Sequence, residues 1–408
     1  MRLLPILIFV VTYLGVAAGR VPWLTLDRTG IALLGAIAMV ASGALPLDFA
    51  LGAIDHGTIL LLFALMIVSA QLRLGGFYTR VALHSAALLH RPRLFLLISM
   101  LVSAVLSAVL ANDIVCLAFA PVIAVSVVRA GFNPVPFLLG LALASNIGSA
   151  ATLIGNPQNM LIGQVGRLAF GPFLAWCLPP TLASLGIAFA LLCGLYRGRL
   201  TQRGSWVEAN DDCRLQPFNR WQSTKGIAGT AVLIGLFFTG IPRELSALAV
   251  AGLLLCSRHM KSRQILGLVD WHLITLFCAL FIVIEGVSLQ GLPEWIVAKL
   301  AAGGISLDDL PVLVGIATVL SNLVSNVPAV MLLVRFLDPT MPVQWYALAV
   351  ASTFAGNLIL IGSIANLIVV EQARHCGIEI GFGEHARVGV PATLASLLVL
   401  WGWIEWVG

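Results

Sequence analysis

From residue 3 onward the sequence is a succession of apolar runs long enough to cross a bilayer, and that feature removes most folds from consideration. Runs of spanning length fall at about 3–19, 29–46, 57–72, 172–196, 226–240, 244–257, 271–289 and 388–406. Lipid offers the backbone no hydrogen-bond partner, so such a chain is confined to helices or a closed barrel. Continuous apolar runs of this length predict helices. Composition agrees: 60% of residues are hydrophobic and 10% charged, where soluble domains carry about a quarter charged. The run at 3–19 follows Arg2 and has the look of a signal peptide, but a counterpart at 226–240 predicts that it stays as a helix. The seven cysteines show no CxxC spacing, which predicts small buried side chains rather than a disulfide or metal framework.

Four further apolar regions are interrupted. Two, 94–128 and 310–337, break at Ala111-Asn112-Asp113 and at Ser325-Asn326-Val327-Pro328. The other two, 136–168 and 343–376, break at ASNIGSAATLIGNPQNMLIG (144–163) and AGNLILIGSIANLIVV (355–370). Gly155, Asn156 and Pro157 in a row do not suit a packed helix interior. At membrane depth a break persists only where it is buried in protein or lines a watery cavity. Small residues alone would serve close helix packing, but that leaves Asn156, Gln158 and Asn159 around a proline unexplained.

The interruptions repeat. IDHGTILLLFALMIV (54–68) sets over VDWHLITLFCALFIV (269–283), with Asp55 on Asp270. LSAVLANDIV (106–115) meets LSNLVSNVPA (320–329), placing Asn112 on Asn326, and LIGNPQN (153–159) meets LIGSIAN (360–366). Three matches in one order divide the chain into a first repeat at 1–197, a linker at 198–224 and a second repeat at 225–408. Each copy holds three spans, an interrupted hairpin, a broken span and a last span. Whether or not the hairpins re-enter, each copy crosses an odd number of times, so the copies are inverted. All but five of the 23 Lys and Arg residues fall to one side; Arg2, Arg167, Arg243, Lys299 and Arg335 fall to the other. That bias predicts a cytoplasmic linker and both termini outside the inner membrane. The net charge of +5 is then a topology signal and gives no reason to expect nucleic acid as a partner. The fold class expected is an all-α polytopic membrane protein. It has about ten transmembrane helices plus two re-entrant hairpins, in two inverted-topology repeats with broken helices at the midplane.

Inverted repeats with broken helices in matching places point to a secondary transporter whose site lies between the repeats. Half-helix N-termini present N–H groups to a ligand, and unwound carbonyls can take a cation. The residues expected to converge there are Asn112, Asp113, Ser145, Asn146, Thr152, Gly155, Asn156 and Asn159 from the first copy. From the second come Ser325, Asn326, Asn357, Gly362, Ser363 and Asn366. Asn112, Asp113 and Asn326 are the candidates for a sodium site. Asp113, the only acid in the first hairpin, and Glu285 are the coupling candidates, since ionisable groups at membrane depth are functional by default. For Asp113 the alternative is a half-helix cap; for Glu285 it is snorkelling to the outer surface. Glu371, opposite Gln164 by repeat, reads as interfacial. No cofactor is expected beyond a sodium ion or proton.

SNIGSAATLIGNPQN, the NDIVCLAFAP hairpin and SNLVSNVPAVMLL resemble the ion-transporter superfamily: arsenite permeases, sodium/proton antiporters and citrate-transporter-like anion permeases. The resemblance covers almost the whole chain. It implies a scaffold and a mobile unit in each half, a homodimer, and elevator-type alternating access. In the dicarboxylate branch, Ser-Asn-Thr triplets at the hairpin tips hold sodium and carboxylate. Here the tips read Ala111-Asn112-Asp113 and Ser325-Asn326-Val327, without the threonine. The departure weighs against sodium/dicarboxylate symport and looks more like the arsenite-permease and anion-permease branch. The expected solute is therefore a small inorganic or organic anion, or arsenite, driven by a proton or sodium gradient. Sodium/proton exchange is the alternative, and a channel lined by the broken helices a further one. An intramembrane enzyme is not indicated: neither HExxH nor GxSxG occurs.

Overall fold

The computed structural model describes residues 3–19, 25–200, 217–257, 260–304 and 306–407. Most of the linker (201–216) and the basic residues Arg2, Arg20, Arg203, Arg214 and Arg258 lie outside the described residues. Among the described residues the chain forms α-helices and short 3-10 turns, with no strand.

The helices come in two sets of ten. The first set is α1 (Leu3–Ala18), α2 (Arg28–Ala41), α3 (Leu47–Gly52), α4 (His56–Leu74), α5 (Phe77–Ala86), α6 (Pro92–Val109), α7 (Asn112–Arg129), α8 (Val135–Ser149), α9 (Pro157–Val165) and α10 (Phe170–Leu195). The second set is α11 (Arg220–Phe237), α12 (Arg243–Leu255), α13 (Ser262–Leu266), α14 (Trp271–Ser288), α15 (Leu292–Ala302), α16 (Leu310–Val324), α17 (Asn326–Leu333), α18 (Pro342–Ala355), α19 (Ile364–His375) and α20 (Phe382–Val407). Helices ten apart in this numbering occupy equivalent places. Asp55 and Asp270, matched in the sequence, both cap a helix: their Oδ1 atoms accept from Thr58 N (2.7 Å) and Leu273 N (2.9 Å). The last helices match as well. Phe170-Gly171 corresponds to Phe382-Gly383, and TLASL at 181–185 recurs at 393–397.

The two broken helices lie at the centre. All 15 residues of α8 are buried, as are twelve of the 14 in α18. Apolar residues face outward from the peripheral helices instead, among them Leu14 on α1, Leu253 on α12 and Leu398 on α20. That pattern suits helices in contact with lipid.

Each hairpin stops at a break. α6 and α7 have 18 residues apiece, enough to cross a membrane by length. Register shows that they do not continue past the midpoint of α8–α9. Phe95 stacks on Phe137 near the start of α8, Ala104 touches Gly148, and the Thr152 hydroxyl donates to the Ala108 carbonyl. α6 and α8 therefore start at the same end and run side by side. The hairpin turns at Leu110-Ala111, where the Asn112 amide donates to the Gly155 carbonyl at 3.1 Å. Beyond that level α9 continues past the hairpin for 9 residues, about 13 Å at 1.5 Å per residue. In the second copy Asn322 on α16 donates to the carbonyl of Ala355, the last residue of α18, at 3.1 Å.

Charge divides between the ends. Arg167 and Arg243 line one cavity with Phe237 at the end of α11. At the start of α11, Arg80 lies 5.3 Å above the Phe218 ring. One expectation about the cysteines fails: Cys376 is disulfide-bonded, while Cys116, Cys177, Cys193, Cys256 and Cys278 are free. Cys376 is the C-cap residue of α19.

Candidate functional site

Each break is closed by one clasp, and the clasp is the same in both copies. Asn159 Nδ2 donates to the carbonyls of Ser149 (3.3 Å) and Thr152 (2.9 Å). Asn366 Nδ2 donates to those of Gly356 (2.9 Å) and Ile359 (3.4 Å). Adding 207 to 149, 152 and 159 gives 356, 359 and 366, so the contacts correspond atom for atom. The half-helices beyond the breaks are capped alike. Asn156 accepts from Asn159 N and Ser363 from Ala365 N, meeting N–H groups that a helix start leaves open. Pro157 at the first position of α9 gives up a donor that would have no partner there anyway. Gly155 is required by close approach: a Cβ would stand 2.2 Å from the Ser149 carbonyl oxygen.

The two copies then meet through Asn146. Its Oδ1 accepts from Asn112 Nδ2 (3.1 Å) and Ser363 Oγ (2.9 Å). Its Nδ2 donates to Oδ1 of Asn357 (2.8 Å) and of Asn366 (3.0 Å). Thr353, which corresponds to Asn146 in the second copy, accepts from Asn156 Nδ2 at 3.1 Å. The contact Asn146–Ser363 thus has its mirror in Thr353–Asn156. Ser145 donates to the Asn112 carbonyl at 3.1 Å and lies 2.7 Å from Ser107 Oγ. Asn326, with its amide nitrogen turned inward, reaches the carbonyls of Ser352 (3.2 Å) and Gly362 (3.3 Å). Ser325 forms the second tip with φ 77° and ψ 157°, a region that only glycine visits without strain.

So the structure gathers Asn112, Ser145, Asn146, Thr152, Gly155, Asn156, Asn159, Asn326, Asn357, Gly362, Ser363 and Asn366 into one buried amide and hydroxyl cluster, with Ser325 at its edge. Every side chain that bonds within it is uncharged. The N-termini of α7, α9, α17 and α19 all end there. Within the cluster the amide oxygens of Asn112 and Asn159 have no donor, and neither has that of Asn322, which lies against Gly362. Among the described residues no three His, Cys, Asp or Glu side chains group as a metal site.

Asp113 and Glu285 are elsewhere. Asp113 follows Asn112 on α7, and one residue turns a helix by about 100°. Its carboxylate consequently lines a separate cavity of about 100 Å³ with Arg73, Asp270 and the apolar Leu62, Met66 and Leu273. Asp113 makes none of the hydrogen bonds of a helix cap; the N-cap position belongs to Ala111. Glu285 is ion-paired with Arg335 Nη2 at 2.9 Å, on an exposed cavity away from the cluster. Glu371 is exposed beside His375.

Thr353, Ser149 and Gln158 belong to the cluster and were not among the residues expected there. Shifting Asn146 by the 207 residues that separate the two LIG motifs finds Thr353 directly.

A central cluster shared by two broken-helix repeats, among helices long and apolar enough to cross a membrane, is the pattern of a membrane transporter. The chain belongs to the citrate transporter family, whose model matches residues 8–355. Similar proteins include a 46 kDa membrane protein of Mycobacterium leprae, 29% identical over 100% of this chain and 99% of that protein. The silicon efflux transporter LSI3 of Oryza sativa subsp. japonica is 29% identical over 92% of this chain and 91% of its own. Among solved structures, MtrF of Neisseria gonorrhoeae, described as one of a class of antimetabolite efflux pumps, aligns with a TM-score of 0.61 at 15% identity. That alignment covers 98% of this chain and 93% of MtrF and speaks to the fold alone.

Proposed function

We propose that this protein is a secondary active transporter of a small hydroxylated inorganic solute of the arsenite type, or of a small anion, across the inner membrane. Coupling is to a proton or sodium gradient, and the motion is of the elevator type in a homodimer with both termini outside. The observation that carries this reading is the uncharged amide cluster that both repeats build together. Its four helix N-termini favour oxygen-rich ligands. The unpartnered amide oxygens of Asn112 and Asn159, with Asn322 beside them, call for a donor or a cation. Undissociated arsenous and silicic acids supply oxygens and O–H donors at once, which fits both demands better than a multiply charged carboxylate. The relative LSI3 carries a silicon efflux name, which supports the same solute chemistry.

In this reading Asp113 is the coupling residue. It stands on the hairpin and faces α4 and α14, and the cavity it shares with Arg73 and Asp270 has room for a few waters or one ion. Two carboxylates facing one small cavity also suit sodium/proton exchange, the second reading.

The test is flux in proteoliposomes with arsenite, silicic acid, phosphate and citrate, under an imposed pH or sodium gradient. Accumulation of arsenite or silicic acid above equilibrium is expected. Steady ohmic current without accumulation would identify a channel, and exchange of sodium for protons with no solute moved would favour the second reading.

A further inference from the structure

His385 is the only buried histidine among the described residues, with 1% of its surface exposed. Neither Nδ1 nor Nε2 has a hydrogen-bond partner. A neutral imidazole carries one donor and one acceptor, and a charged one two donors, so this ring has bonding capacity aimed at something other than protein. Its place is informative. A Cβ on Gly389, one turn further along α20, would stand 3.1 Å from His385 Nδ1 and 2.3 Å from the Asn357 carbonyl oxygen. Measured from that one point, the two atoms are at most 5.4 Å apart. A single bridging water, at about 2.8 Å per bond, is long enough to join them. Asn357 in turn accepts from Asn146 at the centre of the cluster. The position matched in the first copy is Phe173, fully buried and set edge-on against Tyr346 with ring centroids 5.5 Å apart. Where one repeat fills the space with hydrocarbon, the other holds a group that binds a proton.

We propose that His385 is a proton-binding site of the transport cycle, connected to the central cluster through the unwound segment at Asn357. The inference rests on the transport reading above. One proton is taken up at a free ring nitrogen and released to water on the opposite side, with no other bond made or broken. No carboxylate or cation bonds the ring. The titratable side chains on the helices packed against α20 are Cys177 and Cys193 on α10 and Tyr346 on α18; α20 itself carries Glu384, Arg387 and Glu405. Of these, Glu384 accepts from Tyr196 at 3.4 Å.

The experiment compares wild type with His385→Phe, which restores the packing of the first repeat, and His385→Gln, which keeps a polar side chain without a titratable one. Arsenite and silicic acid are the probes, in proteoliposomes, with elution as the wild-type oligomer required of each variant. Both variants should retain counterflow exchange, while accumulation driven by a pH gradient falls to a ratio of one. If either variant keeps the wild-type response to the pH gradient, or if wild type responds to sodium alone, His385 is structural and the inference fails. If wild-type vesicles move neither probe under any gradient, the transport reading fails instead.

Discussion

Removing the Asn146 side chain is the sharpest perturbation of the central cluster. Asn146→Ala deletes four hydrogen bonds, two accepted and two donated, all among buried groups. At about 1 kcal/mol net for each bond, the loss is about 4 kcal/mol, reduced if water enters the space left behind. Asn357→Ala removes only one of the four, so it should cost about 1 kcal/mol. In the double variant that bond is already gone, and the coupling energy between the sites should be about 1 kcal/mol. Additive behaviour at distant sites holds to about 0.5 kcal/mol, so the coupling is measurable. The assay is reversible denaturant unfolding of the purified protein in mixed micelles, with the two single variants and the double variant. The residues are 211 apart in sequence, so coupling between them reports contact between the two repeats. A coupling energy below about 0.5 kcal/mol would refute the claim that Asn146 joins them.

Three further outcomes are expected. Asp113→Asn should fold and elute as wild type yet lose its response to an imposed pH or sodium gradient; an unchanged response would leave Asp113 without a coupling role. Ser325→Gly should stabilise the protein by about 1 kcal/mol, since the strain of a non-glycine residue in that region outweighs the extra freedom glycine gives the unfolded chain. Denaturant unfolding reads this directly, and destabilisation would mean that the Ser325 side chain holds the tip. A cysteine at Gly408 should react with an impermeant thiol reagent added outside intact cells and one at Ser205 should not; the reverse would overturn the charge-bias topology.

Much of this architecture is legible in the sequence because its signals are physical and repeated. Spanning runs must be helices in lipid, and an Asn-Pro pair inside one must break it. Asp55 and Asp270 align because a helix start needs the same cap in both copies. The short helices α3 and α13, of 6 and 5 residues, are too brief to leave a periodic pattern. Direction is harder to read than position. Asn112 and Asp113 are neighbours at the tip, but the helix turn sends one into the cluster and the other toward α4. Thr353 escapes a search for identical residues because it answers Asn146 with a hydroxyl. His385 escapes for the opposite reason: its meaning lies in the mismatch with Phe173, visible only once the TLASL segments are aligned.

In the proposed transport cycle one site opens alternately to the two sides of the membrane. Ala111, at the turn of the first hairpin beside the cluster, is the place to watch it. The measurement is the rate at which an impermeant thiol reagent modifies Ala111→Cys in oriented proteoliposomes, added to one face or the other, above the wild-type background. Reversing the imposed gradient should raise the rate from one face and lower it from the other. Rates that rise and fall together, or modification from one face only under every gradient, would contradict alternating access.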